Sequence, residues 1–223
     1  MSSPVFTEKL WHSIRPIYEA ILNHPFVTGM LGGGLPEDRF RFYVIQDALY
    51  LRDFARALDL VAAKSPKDKW TEFLSEHARE TLVVERALHD SFFKDWGLGA
   101  EAVYTTPPAP TNLAYTSYLL RVAALGSFEE GVAALLPCDW IYVRVGKALE
   151  QKGSPHPLYQ RWIDTYTSEA FWEVVNRLID LVEEAAQGLD DRRLAALQRH
   201  FAITSRYEWM FWDMAWRLEG WPV

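Results

Sequence analysis

The sequence predicts an all-α protein, a single-domain helical bundle spanning residues 1–223. Three observations carry this. Apolar residues recur three and four apart in one segment after another. Helix-start signals alternate with Gly and Pro stops along the chain. No segment shows the strict apolar–polar alternation of a half-buried strand. A chain of 223 residues suits one core, since single cores stop growing only near about 250–300 residues.

The elements follow in order. Residues 4–23 carry Phe6, Leu10, Ile14, Ile17 and Ile21 at helical spacing, with a kink expected at Pro16. His24-Pro25-Phe26 ends this helix, and a loop with Gly32, Gly33 and Gly34 follows. No strand precedes these glycines and no Gly-Lys-Ser/Thr follows them, so they read as a flexible turn rather than a phosphate loop. Pro36 opens a second helix over 36–64, whose inward stripe includes Tyr43, Asp47, Tyr50 and Phe54. Ser65 is expected to cap a third helix, with Pro66 at its first position, that ends near Trp96. Residues 97–110 form a Gly- and Pro-rich loop. A fourth helix covers 112–125, with Tyr115 and Tyr118 on one side.

The next helix starts at Ser127, with Glu130 completing a capping box. It is almost wholly apolar, yet it carries Pro137 in its interior. There the ring removes one hydrogen bond and crowds the preceding turn. Cys138, the chain's one cysteine, comes next, and Tyr142 lies four residues on, on the same face. Helices over 155–167, 169–187 and 191–219 complete the chain. The last places Glu208 among aromatic residues.

Composition limits the function. The net charge of −7 opposes binding to nucleic acid and to anionic lipid. The N-terminus lacks the basic start and apolar core of a signal peptide, and no stretch reaches about 20 uninterrupted apolar residues, so a cytoplasmic location and no membrane contact are expected. One cysteine allows no internal disulfide. Aromatics reach 14%, with ten Trp, ten Tyr and twelve Phe. Such a load serves either packing or the sandwiching of a flat ligand.

Three polar groups of high chemical potential lie on apolar faces of three helices: Asp47, Cys138 and Glu208. A lone cysteine can be a small buried hydrophobe. A buried Asp can simply bond a neighbouring Tyr or Arg. Desolvation of Glu208 would raise its pKa, which prepares a general acid. His77, Glu85 and His89 share the third helix. However, the chain has no Glu-x-x-His, the signature of di-iron bundles, so a buried ion pair or hydrogen bond joining helices is the favoured reading over a metal site. Asp139 follows the thiol and can face elsewhere. Two carboxylates among many Tyr and Phe suit a flat, nitrogen-rich, uncharged or cationic heterocycle.

Several stretches, in order, carry a resemblance: His24-Pro25-Phe26-Val27, Leu35-Pro36-Glu37-Asp38-Arg39-Phe40, Tyr43-Val44-Ile45-Gln46-Asp47, Leu135-Leu136-Pro137-Cys138, His156-Pro157-Leu158-Tyr159, Trp162-Ile163-Asp164-Thr165-Tyr166 and Tyr207-Glu208-Trp209-Met210-Phe211-Trp212. Together they resemble the TenA/thiaminase II family, in the subset that has the active-site cysteine. The resemblance implies a haem-oxygenase-like helical fold, a cofactor-free hydrolase of thiamin salvage and a homotetramer that would bury the surplus Trp. The implied reaction converts 4-amino-5-aminomethyl-2-methylpyrimidine to the 5-hydroxymethyl pyrimidine and ammonia, with thiamin cleavage as the related activity. It further implies that Cys138 adds to the pyrimidine ring, that Asp47 holds the ring nitrogen and amino group, and that Glu208 is the acid/base. Tyr50, Tyr115, Tyr142, Tyr166 and Phe211 would line the pocket. Position 139, often aromatic in such proteins, is Asp here, which bears on specificity at the pocket rim. Two other readings stand beside this one. The first is a metal- or haem-dependent oxidoreductase using His12 or the set His77, Glu85 and His89. The second is a non-catalytic binder of a heterocycle.

Overall fold

The computed structural model describes residues 5–99 and 103–223, with the side chains of 84–90 outside the description. Among the described residues the chain is helical with no strand. The helices are α1 (Phe6–Ser13), α2 (Arg15–Leu22), α3 (Pro25–Gly32), α4 (Glu37–Ala62), α5 (Asp68–Asp95), α6 (Pro110–Leu125), α7 (Phe128–Glu150), α8 (Pro157–Tyr166), α9 (Glu169–Ala186) and α10 (Asp191–Arg217).

The centre is α7. It packs against α4, α6, α8, α9 and α10, and its apolar surface is buried nearly all round. Ser127 and Glu130 close the expected capping box at its start. The helix continues unbroken through Pro137. Gly131 lets α4 approach: a methyl group there would sit 2.6 Å from Val61. Gly146 does the same for the end of α8, where a Cβ would lie 3.0 Å from the Tyr166 carbonyl. One core runs through the bundle, and Trp162, Trp212, Tyr43 and Tyr115 are among its fully buried side chains. Each such side chain contributes about 1.5–3 kcal/mol by leaving water.

Several boundaries differ from the sequence expectation. The 4–23 helix is two helices, α1 and α2, which meet at Ile14, with Pro16 in the first turn of α2. The segment read as a loop after His24 is helix α3. His24 Nδ1 accepts from the Phe26 backbone at 3.2 Å and Pro25 sits at the first position. The glycines misled the reading. Gly29 lies inside α3 against Leu35, Gly32 ends it, and only Gly33 uses its freedom, at φ +71°. Helix α5 begins at Asp68, because Ser65 turns its hydroxyl onto Lys67 instead of capping the helix. Of the ten Trp, Trp70, Trp140, Trp162 and Trp212 are buried, Trp11, Trp96, Trp172, Trp209 and Trp216 are half-buried, and Trp221 is exposed. No helix is long and apolar enough to cross a membrane.

Candidate active site

A cavity opens between α4, α5, α7, α8 and α9. Its empty volume is about 830 Å³ with the open solvent at its mouth included. Asp47, Cys138, Tyr142 and Tyr166, from the three helices α4, α7 and α8, line it together. Tyr142 is one helical turn beyond Cys138 on α7, which brings phenol and thiol to one wall.

Each of these side chains is held from behind. Asp47 is 5% exposed on α4. Its neighbour Gln46 locks α4 to the start of α6: Asn112 Nδ2 donates to the Gln46 carbonyl at 2.8 Å and to Gln46 Oε1 at 2.9 Å, and the Ala109 backbone donates to the same Oε1 at 2.9 Å. This clamp fixes where Tyr115, one turn into α6, meets α10. Tyr142 accepts a hydrogen bond from the Tyr43 hydroxyl at 3.2 Å. The Trp212 ring is stacked between Tyr43, at 5.0 Å and 6°, and Tyr142, at 5.3 Å and 26°. Tyr166 packs on Tyr142 at 5.1 Å. Close-packed aromatics have few alternative rotamers, so the wall is rigid.

Glu208, Tyr50, Tyr115 and Phe211 do not line the open cavity. They pack beside Cys138. The Tyr115 hydroxyl donates to Glu208 Oε1 at 2.5 Å. Tyr50 packs on Tyr115 at 5.0 Å and on Phe211 at 5.5 Å. Its hydroxyl is buried without a hydrogen-bond partner of full geometry and stands next to the thiol, where it favours the thiolate. Phe211 therefore supports Tyr50 and Tyr43 rather than forming the cavity wall.

Burial dominates the electrostatics. Glu208 is 2% exposed. Desolvation pushes its carboxyl up to about 8, with help from the charges of Asp47 and Asp139, against the opposing hydrogen bond from Tyr115. It is therefore largely protonated at neutral pH. Burial likewise pushes the Cys138 thiol well above its usual 9.0, and the charges of Glu208, Asp139 and Asp47 add to this while the Tyr50 hydroxyl opposes it. The resting sulfur is a thiol.

The sequence reading missed one pair. Asp139 does not face away: it lines the cavity and accepts a hydrogen bond from His77 Nε2 at 3.1 Å. The expected polar link between helices thus holds for His77 as a hydrogen bond, with Asp139 as its partner. The side chains of Glu85 and His89 lie outside the described residues. His12 is exposed on α1. No three His, Cys, Asp or Glu side chains among the described residues gather as a metal site. The 62-residue separation hides the His77–Asp139 pair from any local pattern. The one available signal was a second carboxylate beside the thiol on a helix buried on all sides.

The fold and the sequence have known counterparts. An aminopyrimidine aminohydrolase of Halalkalibacterium halodurans is 41% identical over 97% of this chain and 97% of its own. The solved structure of a TenA homologue from P. horikoshii OT3 superposes with a TM-score of 0.89 at 33% identity, covering 96% of this chain and 99% of that one. A domain with a heme oxygenase-like fold from Shewanella denitrificans shares the fold at a TM-score of 0.75 and 18% identity, over 95% of this chain and 92% of its own. The pattern of the TENA/THI-4/PQQC family matches residues 11–218, and the chain belongs to that family.

Proposed function

We propose that the protein is an aminopyrimidine aminohydrolase of thiamin salvage, acting on 4-amino-5-aminomethyl-2-methylpyrimidine through a covalent adduct with Cys138. One observation carries the reading: Cys138 shares a cavity wall with Asp47, and a protonated Glu208 stands beside it. The aminohydrolase name of a relative 41% identical over nearly the whole chain points the same way.

The chemistry follows from the placement. The pyrimidine ring lies against Tyr142 and Tyr166. Asp47 bonds the ring nitrogen and the exocyclic amino group. As the sulfur adds to the ring carbon, its proton passes to the ring nitrogen under Asp47. Aromaticity is lost, and the ring electrons move out toward the exocyclic methylene. The C–N bond breaks with its electron pair on nitrogen, and Glu208 supplies the proton with which ammonia departs. Water then adds to the methylene carbon and returns a proton to Glu208. Breaking the C–S bond restores the ring and the thiol. A nucleophile followed by positioned proton transfer splits one difficult displacement into easier steps.

Thiamin cleavage belongs to the same scheme, with the thiazolium leaving in place of the amine. A cytoplasmic homotetramer without cofactor completes the proposal. The test is ammonia release from the aminomethyl pyrimidine, with thiamin in parallel. Faster turnover of the aminopyrimidine supports a salvage deaminase. No turnover of either by the folded protein overturns the proposal.

A further inference from the structure

The His77–Asp139 pair is not used in the scheme above, yet it forms part of the same wall. Asp139 directly follows the nucleophile on α7 and is 4% exposed. Among the described residues, its one hydrogen bond is from His77 Nε2 to Oδ2, at 3.1 Å. Oδ1 is left for the cavity, which Asp139 lines. Facing the cavity, this oxygen is open to a donor that a bound ligand brings. His77 is itself fixed, stacked on Phe73 at 6.3 Å and edge-on to Phe54 at 6.2 Å. The imidazole therefore holds the carboxylate in one orientation.

The charge of the cavity points to the donor. Asp47, Glu80 and Asp139 line it, together with His77, and no lysine or arginine does among the described residues. Nothing here receives a phosphate, and three carboxylates receive a cation. The ring end of the cavity is already assigned, at Asp47, Tyr142 and Tyr166. Asp139 lines the same cavity as Cys138, and its charge acts on the thiol, so it stands near the ring carbon that the sulfur attacks and near the substituent beside it.

We propose that Asp139, oriented by His77, is the specificity-determining residue for the leaving group: its free oxygen accepts from the nitrogen on the pyrimidine methylene and favours amine-bearing pyrimidines over their hydroxyl counterparts. The inference rests on the aminohydrolase reading and names the subsite that reading leaves open. A primary amine is protonated in water near neutral pH. The bound ammonium gives one proton to water before the adduct forms, and the departing nitrogen becomes cationic again as the Glu208 proton reaches it. Asp139 favours both states. The hydroxymethyl product carries no charge and gains little from the same oxygen. The pair thus binds substrate more tightly than product and helps the product leave. Asp139 touches the substrate in this scheme, whereas His77 acts through Asp139 and is a positioning residue.

The test compares one isosteric pair of ligands on three variants. Asp139→Asn keeps the shape and can still accept from His77, but lacks the charge. It is expected to raise KM for the aminomethyl pyrimidine at least tenfold while the inhibition constant of the hydroxymethyl pyrimidine stays within twofold. His77→Ala shifts the same ratio toward the Asp139→Asn value, and His77→Gln, which retains a donor, restores most of it. The monophosphate ester of the hydroxymethyl pyrimidine is expected to bind at least tenfold more weakly than the free alcohol. Calorimetric titration of both ligands in a Cys138→Ala background, with and without the same substitutions, reads the ratio without turnover, so loss of turnover and loss of discrimination are seen separately. Equal weakening of amine and alcohol in Asp139→Asn, or no weakening of either, overturns the proposal.

Discussion

Two glutamates on the packed helices teach opposite lessons. Glu130 sits at the start of α7, where it accepts from the Ser127 backbone at 2.8 Å and lies 3.5 Å from His200 Nε2. The N–H of Ser127 first, and the neighbouring His200 and Arg193 after it, hold its carboxyl below the usual 4.5 despite partial burial. Glu208 lies inside the bundle with one phenol for a partner and two carboxylates nearby, and is pushed up to about 8. Where N–H dipoles and cations surround a carboxyl group, its charge stabilises the fold. Where burial dominates, the group keeps a proton that a reaction can use.

Removing the stored proton tests this contrast most strongly. Glu208→Gln is expected to lower kcat by about 10²–10⁴-fold, the usual worth of positioned proton transfer, while circular dichroism stays unchanged. Steady-state ammonia release measures it.

Stability against pH sharpens the contrast next. For Glu208 the folded value lies above the unfolded one. The folded state therefore binds the extra proton, and this contribution is complete below about 4.5 and is lost as pH rises through about 8. Glu208→Gln cannot lose it. The melting temperature of the variant relative to the parent is expected to be higher at pH 9 than at pH 5, by about 3 °C or more for each kcal/mol involved. For Glu130 the sign reverses: its contribution is present above the ordinary 4.5 and lost as pH falls through the lowered value. A Glu130→Gln variant should therefore lose its disadvantage in acid.

Both glutamates of this contrast were legible in the sequence, while other parts of the fold and site were not. Asp47, Cys138 and Glu208 were readable because each is a polar residue on an apolar helical stripe, a pattern that survives without coordinates. The capping box at Ser127 and Glu130 was readable because its partners are three residues apart. Helix α3 was not, since its glycines weaken local propensity and its stability comes from packing against Leu35 and the core. The Asp139–His77 pair was not, because α5 and α7 meet only in the folded chain. Phe211 was on the expected face but supports the wall from behind, a distinction that helical periodicity does not contain.

Gly146→Ala probes the wall itself. The added methyl group would press on Tyr166 and cost about 1–3 kcal/mol, as overpacking generally does. Displacing Tyr166 should raise KM more than it lowers kcat, as thermal melts and saturation curves on the variant would show. The smallest effect belongs to the cap. Ser127→Ala is expected to cost about 1 kcal/mol by denaturant melt and to leave kcat unchanged, because it lies at the far end of α7 from the cavity.

The central claim is that the buried thiol performs the chemistry. The most direct measurement is ammonia release from the aminomethyl pyrimidine by Cys138→Ala, alongside the parent protein, with the pyrimidine's binding constant determined by calorimetry. The account predicts that binding persists within a few-fold and turnover disappears. Turnover by Cys138→Ala close to that of the parent would contradict the covalent mechanism and leave Glu208 and Asp47 to act on water alone.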